Sequence, residues 1–161
     1  MEEKVYNTFK KLKIPFEIIK HPPVFKSSDR ENIVIDFKGA TCCKNLLVRD
    51  KTGNNFFLIS LPIDKKANLN LIRAKLGCSR LEFANQEELE ENLGIKSGNA
   101  SVLNIIEKED TCVKFIIDKE ILKLDSVCFH PNVNTLSIKF SPCYIEKILN
   151  EFNADYIFME V

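Results

Sequence analysis

Two adjacent polar residues, Lys44 and Asn45, stand immediately before the apolar run Leu46-Leu47-Val48. Lysine side chains are seldom buried, so a lysine that enters a buried strand can act as a positive point charge for a phosphate or a substrate carbonyl. The asparagine amide beside it offers both a hydrogen-bond donor and an acceptor. The pair therefore predicts a polar binding site at the start of a strand. The competing interpretation is a surface lysine at a strand end.

A second group of polar residues begins at His130, which precedes Pro131, and continues through Asn132, Asn134 and Thr135. Histidine is the usual proton carrier near neutral pH. Polar loops that lead into a strand often carry binding or catalytic groups. We therefore interpret His130 as a candidate catalytic residue, with a structural histidine bonded to the backbone as the alternative.

The loop from Gly94 to Ser101 contains the sequence Ser97-Gly98-Asn99. Backbone N–H groups of a glycine-containing loop can point at an anion or at a developing oxyanion. The loop matches neither the Walker A motif nor the G-x-G-x-x-G motif. An ordinary helix exit would explain the same residues.

Cys128, one of six cysteines, lies two residues before His130. On a strand the two side chains would share a face, as a cysteine–histidine nucleophile pair or half of a metal site requires. The chain has no C-x-x-C pair, so a zinc ribbon or a thioredoxin-type site is not indicated. We expect reduced cysteines that act as small apolar side chains.

Hydrophobic periodicity, prolines and capping residues predict an irregular alternation of helices and strands. The predicted helices are residues 2–12, 69–76 and 85–93, a short one that starts at Ser28-Asp29-Arg30-Glu31, one or two helical turns at 119–124, and a last one that opens with Ser141 as the N-cap and Pro142 at the first helical position. The predicted strands are 15–20, 44–50, 56–62, 112–118, 126–129, 135–140 and 156–161, with a hairpin turn at 50–55 and an irregular stretch at 95–104. This order predicts one α/β domain over residues 1–161, with a mixed sheet surrounded by helices.

The composition is typical of a soluble globular domain, with 45% hydrophobic and 29% charged residues among 161. Residues 1–75 hold 15 Lys and Arg against 8 Asp and Glu, whereas residues 76–161 hold 8 against 15. This asymmetry fits a basic face for a polyanion, or charges that folding interleaves. No apolar run is long enough to span a bilayer and the charged N-terminal residues lack a signal-peptide pattern, so we expect a cytoplasmic protein.

Several of these segments recur together in one known family. His21-Pro22-Pro23-Val24-Phe25 resembles its early His-Pro-Pro motif, the stretch 44–50 resembles its lysine–asparagine strand, and Phe56-Phe57-Leu58-Ile59 resembles the partner strand. His130-Pro131, followed by Asn134-Thr135, resembles its later His-Pro element. In this order the chain resembles the YbaK-type editing domains, which include the insertion domain of bacterial prolyl-tRNA synthetase and the freestanding alanyl-tRNA(Pro) deacylases.

The resemblance implies a mixed, partly barrel-like sheet surrounded by helices. It implies hydrolysis of the ester between a mischarged amino acid and the terminal adenosine of tRNA, most simply alanyl-tRNA(Pro), with no metal and no cofactor. Matched residue by residue, it assigns Lys44 to the 3′ end of the tRNA, Asn45 to the substrate or a water, His130 to the pocket, and the Gly98 loop to the carbonyl oxygen. Ser101, Asn134 and Thr135 are expected to contact the substrate. The expected partners are the acceptor end of tRNA(Pro) and prolyl-tRNA synthetase, without a membrane, and the expected state is a monomer.

One motif departs from the family pattern. The family loop commonly reads Gly-x-x-Ser/Thr-Pro-Phe, whereas this chain has Gly98-Asn99-Ala100-Ser101-Val102-Leu103. Loss of the proline frees the backbone and reshapes one wall of the expected pocket. Alanine is the first choice of amino acid, followed by cysteine or another small residue. A binding module without catalysis and a cysteine hydrolase that uses Cys128 with His130 are the alternative hypotheses.

Overall fold

The computed structural model describes residues 2–23 and 35–161. Its four α-helices are α1 (Glu2–Lys11), α2 (Leu69–Leu76), α3 (Gln86–Leu93) and α4 (Ile145–Glu151). Its eight strands are β1 (Phe16–Lys20), β2 (Thr41–Asp50), β3 (Phe56–Pro62), β4 (Leu81–Phe83), β5 (Lys114–Asp118), β6 (Val127–Phe129), β7 (Leu136–Phe140) and β8 (Tyr156–Met159). Short 3-10 helices cover Val102–Ile106, Ile121–Lys123 and Pro142–Tyr144. The helix predicted to start at Ser28 lies outside the described residues.

The eight strands form one sheet in the order β1-β7-β6-β2-β3-β5-β8, with β4 paired to β2 beside this path. The pairs β2–β6, β3–β5 and β5–β8 are parallel, and the pairs β1–β7, β2–β3, β2–β4 and β6–β7 are antiparallel. The sheet is therefore mixed, as the irregular order of predicted elements indicated. The central strand is β2, which contacts three other strands.

Helices cover both faces of the sheet because successive strand residues point to opposite sides. On one face the main core includes Leu47, Leu58 and Phe115 from the strands, and α1, α4 and the 3-10 helix Val102–Ile106 pack against it. On the other face a smaller core forms around Val48, Ile59 and Ile72, the last of these from α2. No helix in the described part of the chain is long and apolar enough to cross a membrane.

The structure differs from the predicted elements at several places. β2 begins at Thr41, three residues before the predicted strand, because Thr41 and Cys42 pair with β6. Strand β4 and the 3-10 helix Val102–Ile106 had not been predicted, since three to five residues carry little periodicity of their own. Ser141 precedes the last helical segment, but its hydroxyl donates to Cys143 Sγ at 3.1 Å instead of capping the helix.

Candidate active site

Lys44 lies inside β2, at the place where the strands on one side of β2 separate. On that side β6 pairs with Thr41 and Cys42, and β4 pairs with the stretch 48–50. On the other side β3 pairs with β2 along 43–49, which holds Lys44 opposite Leu61. Lys44 is therefore fixed by the sheet and half-buried between two strand pairings. The sequence had suggested that Lys44 stands at the start of the strand, but β2 begins at Thr41.

The charge of Lys44 is tuned by its surroundings. Burial lowers the pKa of Lys44 below the usual value for lysine, because desolvation disfavours the ammonium form. Two exposed residues after β3 act in opposite directions: Asp64 raises the pKa of Lys44 and Lys66 lowers it. A partly desolvated ammonium group attracts an anion or a carbonyl oxygen more strongly than a fully solvated one.

Asn45 points to the face of β2 opposite Lys44, because adjacent strand residues alternate. Its Oδ1 accepts a hydrogen bond from Ser60 Oγ, 2.5 Å away across the β2–β3 pair. Ser60 is fully buried. This bond fixes the orientation of the Asn45 amide, and the catalytic role assigned to Asn45 stays a prediction.

The two histidines of the chain lie together, with ring centroids 6.0 Å apart in an edge-to-face arrangement. His130 directly follows β6, and its Nδ1 lies 3.2 Å from the carbonyl oxygen of Leu136. The ring of His21 contacts the carbonyl oxygen of Pro22 through Nδ1 and Ser137 Oγ through Nε2, each at 2.9 Å. A carbonyl oxygen only accepts, so Nδ1–H is the donor on both rings. In the neutral form, Nε2 of His130 is then the nitrogen that can take a proton.

Gly98 lies in a tight, exposed turn that is closed by the Asn99 N–H donating to the Lys96 carbonyl oxygen at 3.2 Å. Its φ of 87° lies in the region that glycine adopts without strain. The turn therefore requires glycine at this position, whatever its backbone N–H groups bind.

One hydrogen bond joins the Gly98 loop to the turn that follows His130. Asn104, in the 3-10 helix after the loop, donates through Nδ2 to Asn132 Oδ1, and both side chains are buried. The bond brings together two motifs that lie about 30 positions apart in the sequence. The Gly98 loop and the His-Pro element are therefore neighbours, as a shared active site requires.

The three residues expected to contact the substrate differ from one another in burial. Ser101 is fully buried, and its Oγ accepts the N–H of Leu103 at 3.2 Å as the cap of the 3-10 helix. Asn134 is half-buried and Thr135 is exposed, both in the turn before β7. The Thr135 carbonyl oxygen accepts the N–H of His21 at 3.0 Å. Contact of these residues with a substrate stays a prediction.

Cys128 lies opposite Cys42 in the β2–β6 register and is 2% exposed. A hydrogen bond with Cys42, and then burial, raise the pKa of the Cys128 thiol well above its usual range. A nucleophilic cysteine acts as the thiolate, which this environment disfavours. The environment of Cys128 therefore argues against a cysteine hydrolase that uses this residue. All six cysteines are free, and Cys42, Cys43 and Cys128 are buried, whereas Cys112 and Cys143 are exposed.

A cavity of about 540 Å³ lies at the other end of β2, lined among others by Asp50, Gly77 and Lys114. No predicted site residue lines it. Within residues 2–23 and 35–161, no group of three His, Cys, Asp or Glu side chains could hold a metal ion.

Sequence reasoning missed Ser60 and Asn104, both of which hold other site residues in place. Each is a polar residue inside an apolar run, in Phe56–Pro62 and in Val102–Ile106. A buried polar residue needs a partner, so this pattern was the available signal. It could not name the partner, since Asn104 and Asn132 meet only in the folded chain.

A family model for the aminoacyl-tRNA editing domain matches residues 21–148 of the chain. The prolyl-tRNA editing protein ProX of Acetoanaerobium sticklandii is 31% identical over 147 residues, which cover 89% of each chain. The mouse prolyl-tRNA synthetase associated domain-containing protein 1 is 33% identical over 135 residues, 81% of this chain and 79% of the mouse protein.

The fold of the chain is also similar to the folds of solved structures. A solved structure, described as that of a candidate trans-editing enzyme for prolyl-tRNA synthetase, superposes with a TM-score of 0.68 at 13% identity, over 99% of this chain and 96% of the other. The predicted α/β editing fold and the predicted class of activity, deacylation of aminoacyl-tRNA, are confirmed. The chain belongs to the aminoacyl-tRNA editing domain family.

Proposed function

We propose that this protein removes alanine from mischarged tRNA(Pro) by hydrolysing the ester at the terminal adenosine. Editing of mischarged tRNA follows from the family, and the relatives named for prolyl-tRNA support the choice of tRNA. The proposal treats residues 1–161 as one editing domain. It requires no metal and no cofactor, because an aminoacyl ester is already activated towards water.

The observation that carries the proposal is the position of Lys44. The sheet fixes this residue at the separation of β6 and β4, and burial lowers its pKa. A lysine used only for solubility would gain nothing from partial burial, which disfavours its charge. A site for the phosphate or the carbonyl oxygen at the 3′ end of tRNA would use that charge.

The reaction needs little from the side chains. Water attacks the carbonyl carbon, the bond to the ribose oxygen breaks, and the proton lost by water ends on that ribose oxygen. The products are the free amino acid and tRNA with its terminal hydroxyl restored. Lys44 holds the end of the tRNA, the backbone of the Gly98 loop stabilises the oxyanion, and His130 lines the pocket. The family resemblance assigns Asn45 to the substrate or the water, which it would approach from the face of β2 opposite Lys44.

Selection of alanine over proline is a matter of pocket volume. A hydrophobic pocket discriminates against a ligand that is smaller by one methylene by only about 1–3 kcal/mol of binding free energy. Rejecting a larger ring by overlap is easier, so a pocket fitted to alanine spares prolyl-tRNA(Pro). Cysteine and serine are the competitors that such a pocket separates least well.

The first test measures deacylation of alanyl-, cysteinyl-, seryl- and prolyl-tRNA(Pro) by the purified protein and by Lys44→Ala. We expect hydrolysis of the alanyl species, little of the prolyl species, and a loss of about 100-fold or more in Lys44→Ala if the charge acts on the transition state. Lys10→Ala, which removes an exposed lysine on α1, serves as the matched control and should keep full activity.

Normal turnover by Lys44→Ala would remove the role given to Lys44. Absence of hydrolysis for all four substrates, together with tight, salt-dependent tRNA binding, would support a binding module without catalysis. Faster release of cysteine or serine than of alanine would correct the choice of amino acid and leave the class of reaction in place.

The proposal extends to the location, the oligomeric state and the partner of the protein. We expect a cytoplasmic monomer of 18.5 kDa that acts on the acceptor end of tRNA after prolyl-tRNA synthetase has released it. Light scattering on the free protein checks the mass. Addition of the protein to a prolyl-tRNA synthetase reaction that is fed alanine should prevent alanyl-tRNA(Pro) from accumulating, and unchanged accumulation would contradict action in trans.

A further inference from the structure

Asn104 is a polar residue in an apolar segment. Its neighbours in the 3-10 helix are Val102, Leu103, Ile105 and Ile106, and all five side chains are at most 1% exposed. Placing an amide there without partners would cost more than placing an apolar residue of the same size. The buried position therefore implies that hydrogen bonds of the Asn104 amide compensate for its loss of solvation.

The Asn104 side chain makes three hydrogen bonds at once. Its Oδ1 accepts the N–H of Ser101 at 2.6 Å, and its Nδ2 donates to the Asn99 carbonyl oxygen at 3.4 Å. The same Nδ2 donates to Asn132 Oδ1. Two of the bonds fix the end of the Gly98 loop, and the third reaches the turn after His130. One amide therefore holds both predicted catalytic segments.

Asn132 accepts this bond from an unfavourable position. Its φ is 63°, in the left-handed region, and its side chain is 1% exposed. Its own Nδ2 is buried and has no hydrogen-bond partner among the described residues. A strained backbone and an unsatisfied donor both reduce stability, and such local costs concentrate at functional sites. The residue lies two positions after His130.

We propose that Asn104 is a positioning residue for the deacylation reaction. Through Asn132 it sets the distance between the Gly98 loop, which stabilises the oxyanion, and the pocket histidine His130. Asn104 touches neither the substrate nor the reacting atoms. The inference rests on the proposed function, since it assigns the bond a role in the same reaction.

Residue 102, which follows the Ser101 cap, is a valine, so no proline ring fixes φ at this position. Val102 is the first residue after the Ser101 cap, where a proline would fix φ for a helix. Ser101 has φ −154° and ψ 148°, the extended conformation that a residue before proline prefers. A proline at 102 therefore fits the existing backbone, and the asparagine amide supplies restraint that a proline would otherwise give.

The test measures kcat and KM for alanyl-tRNA(Pro) in Asn104→Ala and Asn132→Gly. Glycine keeps the positive φ of residue 132 without strain and removes the side chain that accepts the bond from Asn104. We expect each variant to lower kcat by about 10- to 100-fold, since misplacement by about 1 Å can have that effect. KM should change by less than about threefold because tRNA binding is untouched. The double variant should be no slower than either single variant.

Two further variants separate positioning from stability. Asn85→Ala breaks the capping box of Asn85 and Glu88 on α3, a comparable loss outside the predicted site, and should lower the melting temperature with kcat unchanged. Adding Val102→Pro to Asn104→Ala should restore part of the lost kcat by fixing the loop in another way. All variants are assayed well below their melting temperatures.

Normal kcat in Asn132→Gly would overturn the inference even if Asn104→Ala were slow, because Asn104 would then only cap its own helix. A kcat loss in Asn85→Ala equal to that in Asn104→Ala would overturn it as well, since general instability would explain both. If the unmodified protein hydrolyses no aminoacyl-tRNA, the proposed function fails and the inference fails with it. An active protein with normal variants rejects the inference alone.

Discussion

Lys44 carries a positive charge at a half-buried position inside β2, and two charged neighbours act on its pKa in opposite directions. Burial lowers the pKa of Lys44, Asp64 raises it, and Lys66 lowers it. If the ammonium form is the active one, activity is present at lower pH and is lost as pH rises through the pKa of Lys44. The neighbours then decide where that loss occurs.

We predict that Asp64→Asn moves the alkaline loss of kcat/KM to lower pH and that Lys66→Gln moves it to higher pH. Removing the negative charge favours the neutral amine of Lys44, and removing the positive charge favours the ammonium form. The measurement is a pH profile of alanyl-tRNA(Pro) hydrolysis, with spontaneous ester hydrolysis subtracted at each pH. Shifts in the same direction for both variants would contradict a titrating Lys44.

At the residue scale, the sequence predicted roles for Lys44 and His130 because each belongs to a motif with its own neighbours. It could not predict the hydrogen bond between Asn104 and Asn132, since the two residues meet only across the fold. A sequence motif indicates which residues form a site, whereas strand pairing determines where their side chains lie.

At the scale of elements, β2 and β3 form a hairpin whose turn is organised by one carboxylate. Asp50 accepts hydrogen bonds from the Thr52 hydroxyl at 2.7 Å, the Asn55 amide at 2.8 Å and the Asn55 backbone N–H at 3.3 Å. Hydrogen bonds from the Asn55 and Thr52 side chains lower the pKa of Asp50 to about 2. Gly53 has a φ of 73°, as the predicted hairpin turn required.

We predict that Asp50→Asn lowers the urea midpoint of unfolding at pH 6 and that this difference shrinks as pH falls below about 4. The folded pKa of Asp50 lies below the value of 3.8 for an unperturbed carboxyl, so its stabilising contribution is present above the unfolded pKa and is lost towards pH 2. Urea titrations from pH 3 to pH 7 check this. Asp125→Asn, at an exposed position, is the control, and a constant difference for Asp50→Asn would refute the linkage.

At the scale of the whole molecule, folding interleaves the basic and acidic halves of the sequence. Lys4 pairs with Glu109 at 3.2 Å, and Lys11 pairs with Glu151 at 2.6 Å. Lys65 lies 2.8 Å from the buried Asp118. The charge asymmetry between the halves is therefore partly cancelled by contacts across the fold. A basic face for tRNA cannot be deduced from counting charges along the chain.

Aromatic packing in the main core joins α1 to the sheet. Phe9 of α1 is fully buried and makes edge-to-face contacts with Phe16 and Phe140, at centroid distances of 5.3 and 5.1 Å. We expect Phe9→Ala to lower the free energy of unfolding by about 3–5 kcal/mol. The rate per folded molecule should be unchanged because α1 carries no site residue.

Phe83→Ala is the matched comparison, because the Phe83 side chain is 63% exposed. It should change the free energy of unfolding by no more than about 0.5 kcal/mol. Denaturant titrations of both variants test the pair. Equal losses would mean that burial does not decide the contribution of these two phenylalanines.

The sequence by itself determined the features that depend on neighbours along the chain. Helix α2 covers the predicted residues 69–76 and ends at Gly77 in the left-handed conformation, and α3 covers 86–93 of the predicted helix 85–93, with Asn85 as its N-cap. The hairpin between β2 and β3 and the family motifs were likewise visible. Caps and turns need only four to six residues, so local sequence encodes them.

Only the tertiary structure decided how these pieces meet. The early start of β2, the existence of β4 and the order of strands all depend on pairing between distant segments. A three-residue strand such as β4 exists because β2 supplies its partner, and the Asn104–Asn132 bond exists because two loops are brought together. Short strands and buried amides take most of their stability from groups far away in the sequence, so local pattern cannot specify them.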